Sequence, residues 1–146
     1  MSDFDFESRQ EQLSHAKAVY DNTRELTTLI TDALLLSIVT LNGLKDMQRS
    51  IGERLSVYEI LIFSLEQEEE DNSGRLESID SIKRVVEDWQ VRLKGLGQQI
   101  KLQETIIESG QVNLKVVTSQ QADAKRDLLM LLRGFTGDFR NHLDSS

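Results

Sequence analysis

Apolar residues recur along the second half of the chain at alternating steps of three and four positions. Polar or small residues interrupt this pattern at Gln103, Gly110 and Gln121. A seven-residue repeat of this kind is typical of a helix that packs one apolar seam against a partner helix. The sequence therefore predicts a helix over about 75–133, with seam positions Ile79, Ile82, Val86, Trp89, Leu93, Leu96, Ile100, Ile107, Leu114, Val117, Ala124, Leu128 and Leu131.

A second register with the same spacing covers the first half of the chain. It contains more polar positions than the other register, because Thr23, Thr27, Ser37 and Gln48 lie on its seam. It nevertheless keeps one phase from start to end and predicts a helix over about 5–70. Its seam positions are Leu13, Ala16, Tyr20, Thr23, Thr27, Ile30, Leu34, Ser37, Leu41, Leu44, Gln48, Ile51, Leu55, Tyr58, Ile62 and Leu65.

The segment between the two registers has the composition of a turn. Asp71 to Gly74 combines residues that tolerate left-handed backbone with residues that cap a following helix, of which Ser73 is the candidate for the second helix. We therefore predict an all-α fold, a long antiparallel helical hairpin or coiled coil with its turn at 71–74. The whole chain, 1–146, is predicted to form one domain in which the segment 134–146 lies beyond the second helix, because Gly134 ends or kinks that helix.

A hairpin centred on Asn72 pairs seam positions whose residue numbers sum to 144. In several of these pairs a large residue opposes a small one, and in one pair a polar residue opposes a polar one, which favours packing density without an unpaired polar group. Phe135 and Phe139 are predicted to pack on Phe4 and Phe6. The predicted seam pairs include Leu55 with Trp89, Ile62 with Ile82, Leu34 with Gly110, Tyr20 with Ala124, and Thr23 with Gln121.

Two glycine-containing sites allow a different architecture. Breaks at Asn42-Gly43 and near Ser109-Gly110 would give a four-helix up-down bundle, and Asn-Gly is a turn signal. Both registers pass through these sites without a change of phase, which favours the unbroken hairpin. Gly95 and Gly97 mark a further place where the second helix is weak, because glycine costs about 1 kcal/mol in a helix interior.

Residues 26–44 form the longest apolar stretch, in which Asp32 is the only charge. The stretch is about as long as a membrane span, and its apolar residues cover more of the helix than one seam requires. A two-stranded hairpin buries one stripe per helix, so we expect other helices, this chain's own helices in the four-helix alternative, or lipid to cover the rest. The predicted partner interface is Leu26, Leu29, Ala33, Leu36 and Ile38, with a fainter stripe at Val85, Leu102, Ile106 and Val116.

Charge and composition narrow the class of partner. The net charge is −8, and the lysines and arginines are scattered along the chain. This charge pattern disfavours nucleic acid as a binding partner and disfavours charge-driven docking on an anionic membrane. The chain contains no proline and no cysteine, so it has neither a disulfide framework nor a thiolate metal site. The acidic start of the chain, 1–8, differs from a signal peptide. We expect a cytoplasmic protein.

The sequence contains no motif that indicates catalysis. A phosphate-binding glycine loop, a nucleophile elbow and a His-Glu-x-x-His metal motif are all missing, and His15 and His142 are the only histidines. We therefore expect no enzyme activity, no cofactor and no metal site. The acidic run from Glu66 to Asp71 is interpreted first as a solvated loop and second as a docking site for a basic partner.

The preferred hypothesis is a non-catalytic helical scaffold that self-associates or docks into a larger helical assembly through the predicted interface. An alternative is a membrane-active protein that deploys residues 26–44. In that setting the spacing of Val86, Trp89, Leu93, Leu96 and Ile100 resembles the tryptophan-bearing helix of helical pore-forming toxins. A further alternative, from size and shape, is a secretion chaperone or stalk-associated hairpin.

Overall fold

A computed structural model of the protein describes residues 6–68 and 73–145. These residues form two α-helices, α1 (Phe6–Glu66) and α2 (Ser73–Ser145), and no strand occurs in either described range. The two helices pack against each other. The predicted all-α helical hairpin is therefore confirmed.

Burial follows the two heptad registers. Each buried apolar residue in the described ranges occupies a predicted seam position, and the seam positions around it are half-buried. Buried polar or charged residues are not found in these ranges, so packing along the seam is dominated by apolar burial. The buried residues are Leu34, Ile51, Leu55, Ile79, Val86, Leu96, Ile100, Ile107, Val117 and Ala124.

The chain divides into two compact units, the terminal unit (Met1–Leu35 with Ser109–Ser146) and the central unit (Leu36–Glu108). In the central unit an apolar cluster joins α1 to α2. Predicted partners lie in this cluster together, Leu55 with Trp89 and Ile62 with Ile82. Its buried members are Ile51, Leu55, Val86 and Leu96, and Leu44, Tyr58, Ile62, Ile82, Trp89 and Leu93 pack against them.

In the terminal unit Leu34 of α1 lies against Gly110 of α2, a pair that the register predicts. A Cβ atom added to Gly110 would lie 2.5 Å from Leu34 Cδ2 and 3.1 Å from Leu34 Cγ. Glycine is therefore the residue that leaves room for the leucine side chain at this point of the seam.

A polar pair in the terminal unit differs from the prediction by one helical turn. The Thr27 hydroxyl lies 3.0 Å from Gln121 Oε1 and 2.7 Å from the Thr23 carbonyl, and can donate its single proton to either. The Thr23 hydroxyl donates to the Tyr20 carbonyl at 2.7 Å. Gln121 therefore contacts the Thr27 hydroxyl and not the predicted Thr23 hydroxyl, because the long glutamine side chain reaches the next seam position.

Both helices are continuous through the sites that suggested a four-helix bundle. α1 continues through Asn42-Gly43 and α2 continues through Ser109-Gly110, so that alternative is wrong. Asn42 and Gly43 are exposed, whereas the adjacent Leu41 and Leu44 are half-buried on the seam. Burial of the flanking leucines offsets the cost of about 1 kcal/mol for a helical glycine. α2 is likewise helical through Gly95 and Gly97.

The helix ends differ from the predicted bounds near the turn. α1 ends at Glu66 rather than near residue 70, where the carboxylates of the following acidic run would oppose the negative end of the helix dipole. Ser73 and Gly74 already belong to α2, so the predicted turn is wrong at these two positions. Ser73 begins the helix as predicted, since serine favours a helix start. Asp71 and Asn72 lie outside the described residues.

The C-terminal part of α2 also differs from the prediction. The helix continues through Gly134 to Ser145 instead of ending near 133. The prediction that the segment 134–146 lies beyond the second helix is therefore wrong. The reason is that the spacing of three and four continues from Leu131 to Phe135 and Asp138, both half-buried. Seam contacts thus extend past the glycines and stabilise the helix.

Those last seam positions contact the start of α1. The Phe6 and Phe135 rings meet edge to face with centroids 5.6 Å apart, and Phe139 stacks on Phe135 at 6.1 Å. Arg9 forms an ion pair with Asp138. The predicted packing of aromatic rings is therefore present for Phe6, whereas Phe4 lies outside the described residues.

Candidate interaction surface

Every residue of the predicted partner interface is exposed. In the terminal unit, Leu26, Leu29 and Ala33 face outward, and Leu29 is 59% exposed. In the central unit, Leu36 is 68% exposed and Ile38 is exposed as well. The seam of α1 therefore does not use these five side chains.

Their exposure follows from helix geometry. Each interface residue is one position away from a seam residue, as Leu29 is from Ile30 and Leu36 is from Ser37. One step along an α-helix rotates a side chain by about 100°. Leu26, Leu29, Ala33 and Leu36 each precede a seam residue and therefore flank one side of the seam, whereas Ile38 follows Ser37 and lies on the other side. None of the five points into the seam, so apolar surface remains beside the two-helix contact.

The apolar surface of this stretch is larger than the five predicted residues. Leu35 in the terminal unit is 58% exposed, and Val39 in the central unit is 67% exposed. Sequence reasoning missed both, although the signal was present in the uninterrupted run from Ala33 to Leu36 and in the Ile38-Val39 pair. Consecutive apolar residues in a helix point to several faces at once and cannot all reach one seam.

Threonine side chains make the surface more apolar than the composition suggests. The hydroxyl of Thr28 donates to the Arg24 carbonyl at 3.1 Å, and the hydroxyl of Thr40 donates to the Leu36 carbonyl at 2.9 Å. Such bonds to the preceding turn satisfy the hydroxyl within its own helix. Asp32 remains the one charge between residues 26 and 44.

The fainter stripe predicted on α2 is also exposed. Leu102 is 63% exposed in the central unit, together with Val85 and Ile106, and Val116 is exposed in the terminal unit. Exposed aliphatic side chains of this kind are common on protein surfaces, so this stripe by itself does not indicate a partner.

Trp89 has surroundings that the heptad pattern did not reveal. It is half-buried against the central cluster, as expected for a seam residue. The guanidinium of Arg54 lies 5.3 Å from its ring centroid, and that of Arg92 lies 4.8 Å away. Both distances are within the range of cation–π contact, so the tryptophan joins the apolar seam to two surface cations.

Metal-site geometry, helix hydropathy and comparison with known proteins were each considered for this chain. Within residues 6–68 and 73–145, no group of three histidine, aspartate or glutamate side chains is placed to hold a metal ion. Helix α1 contains a window that is long and apolar enough to cross a membrane, and 6% of that window is buried. A scan against protein families, a search of curated proteins and a search of solved structures each found no match to this chain.

Proposed function

We propose that the protein is a non-catalytic helical interaction protein whose stretch 26–44 binds a second copy of the chain. The observation that supports this proposal is the exposure of Leu29 and Leu36, at 59% and 68%, on a helix that already has a complete seam. Burying a leucine side chain fully is worth about 1.5–3 kcal/mol. Several such side chains from each of two copies can offset the free-energy cost of association, which is about 4–15 kcal/mol.

Charge supports a second copy as the occupant. The chain carries a net charge of −8, which opposes contact between copies over most of the surface. Between residues 26 and 44 the single carboxylate of Asp32 is the only charge. Two copies can therefore approach at this stretch with the least like-charge repulsion, and Ala33 is small enough for close helix–helix contact.

Sedimentation equilibrium at tens of micromolar protein tests the proposal. The double variant Leu29→Glu/Leu36→Glu is expected to be monomeric while keeping its helical content by circular dichroism, because both side chains lie outside the seam. The matched control Val91→Glu/Met130→Glu adds the same charge at two positions that are 72% and 63% exposed. The control is expected to associate like the wild-type protein.

Two results would contradict self-association. A wild-type protein that is monomeric at these concentrations would exclude it and favour a different helical protein as the partner. Equal loss of association in the control variant would show that added charge, not the stripe, is responsible. The scaffold role and the cytoplasmic location remain predictions.

A membrane-active role is the alternative, because α1 contains a largely exposed window that is long and apolar enough to span a bilayer. Asp32 opposes constitutive insertion, since a carboxylate at the bilayer centre is costly. Release of a fluorescent dye from liposomes, measured across pH and lipid composition, tests this role. Leakage that the Leu29→Glu/Leu36→Glu variant abolishes would support it. No leakage under any condition would eliminate it.

A further inference from the structure

The last turns of α1 in the central unit carry a second exposed apolar face, which the heptad registers did not predict. Val57 is 56% exposed, Ile60 is 66% exposed and Phe63 is 63% exposed, with Leu61 beside them at 44%. We call these four residues the distal face. Tyr58 and Ile62, on the seam between them, pack against the central cluster instead.

Helix spacing places the distal face on one side of α1. Ile60 and Leu61 follow Val57 by three and four positions, and Phe63 follows Ile60 by three, so adjacent members are neighbours on the helix surface. Among residues 57–63, Glu59 is the only polar residue besides the Tyr58 hydroxyl. The seam already buries the side chains that the hairpin needs, so the distal face is surplus to the fold.

Acidic residues surround the distal face. Glu53 precedes Val57 by one turn, and Glu59, Glu66 and Glu68 are exposed. The nearby cation Arg54 lies over the Trp89 ring. In the sequence, Glu69, Glu70 and Asp71 follow directly. Among the described residues, Glu53 and Glu59 are thus acidic neighbours of the distal face without an ion pair to a lysine or arginine, whereas Lys83 lies 3.5 Å from one Glu66 carboxylate oxygen.

We propose that the distal face binds a basic amphipathic helix of a different protein. Such a helix would place an apolar stripe on Ile60 and Phe63 and its lysine or arginine residues beside the surrounding glutamates. Apolar burial would supply most of the affinity, and complementary charge would supply selectivity and the rate of association. A second copy of this chain would bring like charge to the same place, and an anionic lipid surface would be repelled for the same reason.

The distal face shares no residue with stretch 26–44, so the two proposals are independent. A variant with Leu29→Glu/Leu36→Glu is expected to bind the basic helix as the wild-type protein does. A failure of the self-association proposal would therefore leave this inference intact. A failure of this inference would likewise leave the self-association proposal intact.

Fluorescence anisotropy with two labelled synthetic peptides tests the inference on the full chain. Both peptides form amphipathic helices with the same leucine stripe, one flanked by lysines and the other by glutamates. The lysine peptide is expected to bind at least about tenfold more tightly at low salt, because several surface ion pairs of a few tenths of a kcal/mol act together. The difference is expected to shrink as salt screens the charges.

Two sets of variants separate the apolar part from the charges. Ile60→Gln/Phe63→Gln is expected to weaken binding of the lysine peptide about tenfold or more, because central apolar contacts dominate helix-in-groove binding. The control Val91→Gln/Leu102→Gln removes two equally exposed apolar side chains of the same unit and is expected to bind normally. Glu53→Gln/Glu59→Gln is expected to weaken binding less and to reduce its salt dependence.

Three outcomes would overturn the inference. The first is equal binding of the two peptides, the second is normal binding by the Ile60→Gln/Phe63→Gln variant, and the third is equal loss in the control variant. Vesicles of zwitterionic or anionic lipid, tested in the same assay, are expected not to bind through Ile60 and Phe63. Vesicle binding that the Ile60→Gln/Phe63→Gln variant abolishes would identify a membrane surface instead and would also overturn the proposal.

Discussion

The central and terminal units use different contacts to hold α1 against α2. The central unit contains the cluster of buried aliphatic side chains around Ile51, Leu55, Val86 and Leu96, together with two longer polar contacts, from Gln103 to the Ser37 carbonyl at 3.4 Å and between Lys83 and Glu66 at 3.5 Å. The terminal unit contains specific pairs, in which one residue fits one partner: Leu34 with Gly110, Thr27 with Gln121, and Arg9 with Asp138. Apolar burial is non-directional, whereas steric fit and hydrogen bonds depend on geometry.

This difference means that one set of contacts can set the stability of the hairpin while the other sets the alignment of α1 with α2. If the helices of an aliphatic seam slid by one heptad, isoleucine, leucine and valine would still meet one another. The same shift would move Leu34 away from Gly110 and Thr27 away from Gln121. We therefore expect contacts of the central unit to determine how stable the hairpin is, and pairs of the terminal unit to determine which residues face each other.

The largest effect is expected from Leu55→Ala. Leu55 is 7% exposed in the central cluster, and truncating a buried leucine costs about 2–5 kcal/mol through lost burial and the cavity that remains. Urea unfolding followed by circular dichroism measures the loss. The control Leu102→Ala, at a position 63% exposed, is expected to cost less than about 0.5 kcal/mol. Similar losses in the two variants would contradict the role of the cluster.

Gly110→Ala and Gly43→Ala form a matched pair with the next largest effect. Both substitutions gain about 1 kcal/mol of helix propensity, but only Gly110 has a neighbour within 4 Å of the added methyl group. Overpacking costs about 1–3 kcal/mol, so the free energies of unfolding of the two variants are expected to differ by about that amount, with Gly43→Ala the more stable.

A second substitution verifies the cause of that difference. In a Leu34→Ala background the leucine atoms that Gly110→Ala would contact are gone. Gly110→Ala is then expected to raise the free energy of unfolding, as Gly43→Ala does. If Gly110→Ala is equally harmful with or without Leu34, the contact with Leu34 is not what requires glycine.

The seam could be predicted from sequence because a heptad register is a property of each helix alone. The two phases place Leu34, Leu55 and Val86 inward without knowledge of the partner. The end of α2 could not be predicted from local propensity, since Gly134 signals a helix end and only contacts with α1, such as that of Phe135 with Phe6, outweigh that signal.

The exposed apolar surface was harder to predict than the core. The exposure of the stripe through Leu29 and Leu36 could be predicted, because these leucines exceed what one seam buries. The distal face was missed, although the register leaves Ile60 and Phe63 off the seam on either side of Ile62, and consecutive apolar residues in a helix cannot all reach one seam. The shift from Thr23 to Thr27 as the partner of Gln121 was missed because side-chain reach is not encoded in residue spacing.

A smaller effect is expected from Thr27→Val. The Thr27 hydroxyl lies 3.0 Å from Gln121 Oε1, and losing such a bond at a half-buried position costs about 1 kcal/mol. Thr28→Val is the control, since the Thr28 hydroxyl donates to the Arg24 carbonyl of its own helix. The double variant Thr27→Val/Gln121→Leu is expected to recover the loss, and a double variant that is less stable than Thr27→Val would contradict a paired role.

The smallest effect is expected from the ion pair between Arg9 and Asp138. Their side chains are 39% and 43% exposed, and water and salt screen such a pair to about 0.2–1 kcal/mol. Asp138→Asn keeps the shape of the side chain and is expected to lower the free energy of unfolding by that amount in low salt.

Asp21→Asn is the control, because Asp21 pairs with Lys17 one turn away on the same helix. Of these two ion pairs, only that of Arg9 with Asp138 joins α1 to α2, so the loss in Asp138→Asn is expected to exceed that in Asp21→Asn and to shrink with added salt. Equal losses that do not depend on salt would show that the terminal unit gains nothing from this charge contact between its helices, and that its specificity comes from Leu34, Gly110, Thr27 and Gln121 alone.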